Sequence, residues 1–325
     1  MHYEDPFTEE LNKNIEKYNK IVLKPFWKDN IFRSAGGTYI PNQRCDYFEA
    51  TPLISAKLLS GTPLEYKGNN KFLHYTSLQS LISILKSKKI RLYDFNNFND
   101  PTEFIYTNKY FRKFENSTCL REYKRQLFGL SMCEFEENVV NNNINLWRLY
   151  SDNGKGACIT FEIDKENIEN IQDFSFGKVN YNQNLKNISE LDDIITRDES
   201  FKSDFNFYCS NLSDVIAPLC CFYKSDLFSI EKEVRLFHFS KRQYYKHSSE
   251  HVQFELNKDF KKVYFVELPI DRMIDKFIPF LKINTVHLGY NLSQDAYNEA
   301  LDTITELKFP YKFDISWAPI KKHFE

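Results

Sequence analysis

A chain of 325 residues with 43 Lys and Arg against 45 Asp and Glu is long enough for a substantial core, and carries no global charge that would draw it to nucleic acid or membrane. Aromatic residues make up 16% of it, with 30 Phe and 20 Tyr against 9 Gly, a composition that excludes a disordered chain. The seven Cys are scattered without a CxxC pair, so they read as small buried residues of a reducing compartment rather than zinc ligands.

The first residues are polar and acidic with no apolar run behind them, and no uncharged run reaches the roughly 18 residues of a membrane span. The expectation is a cytoplasmic protein with no membrane contact. Residues 8–23 have helical patterning (Leu11, Ile15, Tyr18, Ile21, Val22), with Thr8 placed to cap it. Pro25, Gly36, Gly37 and Pro41 then break the chain into loops, and a second apolar stretch, 52–59, ends at Gly61. Residues 1–70 are expected to form an N-terminal helical and loop extension ahead of one main domain, 71–325.

That domain opens on Phe72, Leu73, His74, Tyr75 and Thr76, a strand that turns directly into a helix. Thr76 and Gln79 have capping-box spacing, and Leu78, Leu81, Ile82 and Leu85 form one helical stripe. His74 is placed at a strand end beside a helix N-terminus, where amides and side chains can converge on a ligand. The plainer alternative is a histidine that satisfies a local hydrogen bond. Residues 90–93 alternate as a short strand, and Asp100, Pro101 and Glu103 occupy the N-cap, N1 and N3 positions of a further helix.

Residues 127–133 read as a strand, 134–143 as an asparagine-rich loop, 145–150 as a short helix and 157–162 as a strand entered through Gly154 and Gly156. Another strand is expected within 176–181, and a charged, helical segment over 182–216. Lys224 begins a loop that leads into a strand opened by Glu231 and Glu233. At i and i+2 two carboxylates share a strand face, where their repulsion works against sheet stability. A solvated strand end is the plainer alternative. Later strands are expected at 263–268, 285–288 and 313–317, with a helix capped by Ser293 and striped by Ala296, Tyr297, Ala300, Leu301 and Ile304. Short strands interspersed with helices indicate an α+β fold.

His74 through Ser77, Asn99-Asp100-Pro101 with Glu103, Leu146-Trp147-Arg148-Leu149-Tyr150 followed by Gly156, Glu231 through Arg235, and the Leu288-Gly289 turn together resemble the bacterial family catalogued as domain of unknown function 2971, over residues 71–317. More distantly, a strand-ending histidine, a strand–helix–strand with a tyrosine, and a glutamate-first strand resemble the His-Tyr-Glu pattern of ADP-ribosyltransferases. That resemblance implies a split mixed β-sheet with flanking helices, with NAD as substrate and cofactor. It implies His74 on the NAD ribose, Tyr150 stacked on nicotinamide and Glu233 on the 2′-hydroxyl of the nicotinamide ribose. Glu231 would orient the acceptor, as in E-x-E toxin-type members. Thr76, Ser131 and Arg148 complete the expected cofactor-binding set, and Arg148 and Arg235 either hold pyrophosphate or pair with Glu231.

The reaction implied is ADP-ribosyl transfer to a protein or nucleic-acid acceptor, or NAD hydrolysis, with bacterial toxin or phage-defence settings by analogy. Here the histidine is followed by Tyr75 where the pattern has a small residue. Two rivals stand beside this expectation. One is a non-catalytic nucleotide-sensing or protein-interaction module; the other is a metal-dependent nuclease using Glu231 and Glu233.

Overall fold

The computed structural model describes residues 6–28, 32–40, 43–52, 58–98, 117–136, 143–163, 174–183, 188–209, 212–240, 252–270 and 281–323. The expected Asp100 helix and most of the asparagine-rich loop lie outside these residues. Helix α1, Pro6–Tyr18, runs on into a wider π-turn, Asn19–Leu23. Strands β1, Phe32–Ile40, and β2, Gln43–Pro52, then pair antiparallel as a hairpin. The sequence reading had loops here because Gly36 and Gly37 look like breakers; in the structure both lie inside β1, opposite Tyr47 and Asp46.

Next come β3 (Lys71–Thr76), α2 (Leu78–Ser87) and β4 (Lys89–Asp94). They are followed by α3 (Ser117–Lys124), β5 (Leu127–Glu134), α4 (Ile144–Tyr150) and β6 (Ala157–Ile163). The segment 176–181 is two strands, β7 (Phe174–Lys178) and β8 (Asn180–Tyr181). The segment 182–216 contains α5 (Ser189–Phe205) and α6 (Leu212–Ile216) with a short strand between them, β9 (Phe207–Cys209), which extends β2 in parallel. The chain continues through β10 (Tyr223–Lys224), β11 (Glu233–Phe239), β12 (Val252–Leu256) and β13 (Lys262–Pro269). It closes with β14 (Leu281–Leu288), α7 (Gln294–Glu306) and β15 (Asp314–Trp317).

Among the described residues ten strands form one mixed sheet, in the order β12-β13-β4-β5-β3-β6-β14-β15, with β11 and β7 branching from β5. The parallel pair in it is β14 with β15; the other pairings are antiparallel. β5 is the strand on which the sheet divides. Its Phe128 and Gly129 pair with β4, its Cys133 and Glu134 pair with β3, and its opposite edge carries β11 along the whole length. β3 and β4 thus share one edge of β5 without meeting, joined by α2, and the sheet is split between them. The expected α+β class with a large mixed sheet and flanking helices is what the structure has.

One core lies against this sheet, where Phe72, Leu81, Leu85, Leu130, Met132, Val234, Leu236, Ala300 and Ile304 are all buried. A second core joins the front of the chain to a distant stretch: Tyr18, Val22, Phe26, Trp27, Leu58 and Leu64 pack with Ile188, Leu191, Phe201, Phe207 and the buried run 215–223. Trp27 Nε1 donates to Leu58 O at 2.8 Å, and the Tyr18 hydroxyl donates to Asp198 at 2.6 Å. The front segment, expected as an appended extension, therefore packs into a core shared with residues 188–223 and with Phe95, Tyr123, Leu127 and Phe237.

Trp27→Ala removes a fully buried indole and leaves the Leu58 carbonyl without its donor, so a loss of about 3–5 kcal/mol is expected in urea unfolding. A loss below about 1 kcal/mol would show that this core does not depend on the front segment.

Candidate functional site

The split between β3 and β4 opens a cleft of about 740 Å³ whose floor is Gly129–Cys133 of β5. That volume falls in the range of small-molecule and cofactor sites. One wall comes from β3 and from α2 along its length; the other comes from β4, the end of β10 and the start of β11. Leu78 to Ser87 form a helix because Leu81 and Leu85 bury one stripe, and Ser77 caps it by accepting from Ser80 N at 3.0 Å. The cap is Ser77, one residue later than the Thr76 expected from capping-box spacing, because Thr76 is still paired in β3 opposite Ala157. Thr76 nevertheless lines the cleft, as expected of a cofactor-binding residue.

His74 reaches from β3 across the split and its Nδ1 lies 3.1 Å from the carbonyl oxygen of Ser131. A carbonyl can only accept, so Nδ1 carries the proton and Nε2 is left as an acceptor. Burial lowers the His74 pKa from its usual 6.5, outweighing the opposing pull of that carbonyl, so the imidazole is neutral. Ser131 has its carbonyl on the open edge of β5, and the antiparallel pattern places its amide on that same edge.

Glu231 and Glu233 meet in the opposite wall, by a route the sequence did not show. The expectation was two carboxylates on one strand face, but β11 begins only at Glu233. Glu231 ends a 3₁₀ turn, Asp226–Glu231, and Lys232 between them has φ +43°, a left-handed kink that re-aims the chain. Both side chains are buried, at 4% exposure each. Their repulsion is offset by two buried cations. Lys224 Nζ, on β10, lies 2.7 Å from Glu231 Oε2 and 3.2 Å from Glu233 Oε2. Arg235, two residues along β11, gives Nε to Glu233 Oε1 at 2.7 Å and Nη2 to Glu233 Oε2 at 3.1 Å.

Burial pushes the Glu233 carboxyl upward, but Arg235 and then Lys224 outweigh it and hold the pKa at about 2, with the Ser131 hydroxyl helping. Burial pulls the Lys224 ammonium down, and Glu233 and Glu231 more than restore it. Tyr150, half-buried at the end of α4, donates its hydroxyl to Glu231 Oε1. Burial, then that bond, raises its phenol well above the usual tyrosine range. The Glu233 amide donates to the hydroxyl of Tyr181 at 2.8 Å.

The structure thus gathers His74, Thr76, Ser131, Tyr150, Glu231 and Glu233 around one cleft. Arg148 is not brought in: it is exposed on α4 and lies outside the cleft lining, because Leu146 and Trp147 take the buried face of that helix. Leu149, beside Arg148 on the same helix, is 67% exposed. Arg235 pairs with Glu233, not Glu231. Lys224 was passed over because a lysine at a loop start ordinarily marks solvent. A sign of its burial is the apolar run 215–223 immediately before it. Its ammonium also sits 4.7 Å from the Phe228 ring centroid. Among the described residues no three His, Cys, Asp or Glu side chains gather as a metal site would require.

A family model described as "Protein of unknown function (DUF2971)" matches residues 146–236, the stretch from α4 to the middle of β11, and supports the resemblance to that family. No curated protein and no solved structure matches the chain. Among the described residues no helix is long and apolar enough to cross a membrane.

Two titrations of this site have a readable effect on stability. At His74 the unfolded chain takes up a proton near pH 6.5 and the folded chain only at lower pH, so stability is present above that value and declines below it. Glu233 is ionised in the folded chain down to about 2, against 4.5 unfolded, so its contribution is complete above pH 4.5 and is lost as pH falls toward 2. Urea midpoints measured from pH 7.5 to 3 should fall in both windows. His74→Gln should flatten the upper window relative to wild type, and an unchanged slope there would place the titration elsewhere.

Proposed function

We propose that the chain binds NAD in this cleft and cleaves its nicotinamide–ribose bond. The ADP-ribosyl group passes to a protein or nucleic-acid acceptor, or to water. The observation that carries this reading is that a neutral imidazole, a phenol and a carboxylate pair line one cleft in a split sheet. His74 Nε2, its protonation fixed by the Ser131 carbonyl, is suited to accept from a ribose hydroxyl and orient the sugar. The ring of Tyr150, tethered through its hydroxyl, offers a face for nicotinamide.

Bond cleavage sends the C1′–N electron pair to nicotinamide and leaves positive charge on the ribose, as in glycoside cleavage. A carboxylate of the Glu231–Glu233 pair, fixed in a dry wall, stabilises that charge without rearrangement. Water or an acceptor hydroxyl or amine then supplies the new pair to C1′ and loses a proton.

The metal-dependent nuclease is the weaker reading, because the charge a divalent ion would neutralise is already met by Lys224 and Arg235. The same internal neutrality leaves room for a ligand-sensing module, which differs in binding NAD without turnover. Incubation with labelled NAD, with and without cell lysate, should release nicotinamide and label an acceptor. Millimolar NAD should raise the melting temperature through binding to the folded state, and Tyr150→Ala should reduce that shift at least by half. No shift with wild type overturns the NAD reading; a shift without nicotinamide release gives the module.

A further inference from the structure

The two carboxylates of the pair are not equivalent, and their hydrogen bonds separate them. An ionised carboxylate has about four acceptor positions. Glu233 has three of them filled, by Arg235 Nε at 2.7 Å, Arg235 Nη2 at 3.1 Å and Lys224 Nζ at 3.2 Å. Glu231 has two donors among the described residues, the Tyr150 hydroxyl and Lys224 Nζ at 2.7 Å, one on each oxygen. Both side chains line the cleft and both are 4% exposed, so the difference is one of capacity and not of access.

The backbone sharpens the contrast. Glu233 lies within β11, paired through Cys133 to β5, with its own amide held by Tyr181. Glu231 precedes the strand, in a turn whose Leu227 and Ile230 are 85% and 48% exposed, so it can shift by a fraction of an ångström without disturbing the sheet. For Glu233 to turn toward a ribose hydroxyl it would have to loosen its hold on a buried guanidinium and a buried ammonium. Glu231 can accept one with nothing displaced.

We propose that Glu231 is the catalytic carboxylate of this cleft, and that Glu233 is a positioning residue that keeps Lys224 and Arg235 in place beneath it. The reaction assigned to Glu231 rests on the NAD reading; the division of labour between the carboxylates does not. It reverses the order that the His-Tyr-Glu resemblance implies, in which the glutamate that opens the strand holds the 2′-hydroxyl. With Tyr150 and Lys224 on its two oxygens, Glu231 places its remaining lone pairs beside the ring that would carry nicotinamide. That is where C1′ gains positive charge as its bond to nicotinamide breaks. Glu231 acts by charge and hydrogen bonding alone: it forms no covalent bond, and the attacking hydroxyl, amine or water supplies the electron pair to C1′.

Glu231→Gln and Glu233→Gln, purified as full chains, test this by two independent readouts. The first is thermal unfolding without NAD. Glu233→Gln removes a buried carboxylate bonded twice to the fully buried Arg235 and once to Lys224, so its melting temperature should fall by about 5 °C or more, or the variant should fail to fold. Glu231→Gln removes one of the two carboxylates on Lys224 but leaves the Glu233 contacts to Lys224 and Arg235 in place, so its melting temperature should fall by less than that of Glu233→Gln.

The second readout is nicotinamide release, measured below both melting temperatures. Glu231→Gln should lose about 10²–10³ in rate while NAD still raises its melting temperature as in wild type. A folded Glu233→Gln should retain more turnover than Glu231→Gln. The proposal is overturned if Glu231→Gln is the less stable variant or does not fold, if it turns over NAD at the wild-type rate, or if a folded Glu233→Gln is the slower enzyme. If wild type itself neither binds nor cleaves NAD, the NAD reading fails alone, and the melting contrast still decides which carboxylate is the buried support.

Discussion

Four charges buried within one wall of a cleft are the constraint on which the rest of this site depends. Glu231, Glu233, Lys224 and Arg235 are each 6% exposed or less and sum to zero. Singly, none of them would tolerate removal from water; together they are held by short, charge-assisted bonds that satisfy most of their donors and acceptors. The group fixes where β10 and the turn before β11 must lie, because a single ammonium has to reach both carboxylates. It also bears on the floor of the cleft, since Ser131 pairs with Arg235 across β5 and β11 while its carbonyl accepts a hydrogen bond from His74 Nδ1. The imidazole on one side of the split and the carboxylates on the other are thus set relative to one another through a single residue of β5.

The sheet supplies the opening that makes this arrangement useful. A continuous antiparallel sheet would cover both edges of β5 with backbone bonds, leaving no room for a ligand beside Ser131. Here α2 carries the chain from β3 to β4, so those two strands contact β5 at opposite ends of the same edge. The stretch of edge between them faces the cleft. His74 is the side chain that occupies part of this gap, and it is neutral because the same covering that shapes the cleft excludes water from the ring.

How much of this could be read from the sequence follows from the range of the forces involved. Helices α2 and α7 were legible because each buries a stripe at helical period, and strands β3, β5, β6 and β11 as short, mostly apolar runs, signals confined to a few residues. His74 and Tyr150 were legible from position in such elements. The hairpin β1–β2 was hidden because Gly36 and Gly37 read as breakers, although a strand tolerates glycine when its partner is in register. The convergence of Glu231 and Glu233 was legible as a fact and misread as a cause: strand alternation was credited where a left-handed Lys232 does the turning. Lys224 was illegible, since no spacing rule reports that an ammonium seven residues before a glutamate will be drawn under it. The division between Glu231 and Glu233 was also out of reach, because it depends on Arg235 and Tyr150, which are distant from one another in sequence or silent in pattern.

The front of the chain acquires a role through this same group. Arg235 donates to the carbonyl of Cys221 as well as to Glu233. Cys221 lies in the buried 3₁₀ run Ala217–Phe222, which leads without interruption into Tyr223 and Lys224. That run is packed in the core built by Tyr18, Val22, Phe26, Trp27, Leu58 and Leu64. Lys224 and Arg235 are thus positioned by a segment whose own position is set by residues more than 150 places earlier in the chain. Loosening that core would move Lys224 and the Cys221 carbonyl together, and the carboxylates with them. The family model covers residues 146–236, which hold Tyr150, Lys224, Glu231, Glu233 and Arg235 but neither His74 nor the front segment's part of this core. The matched segment therefore contains the four buried charges, while His74 and part of the core that positions them lie outside it.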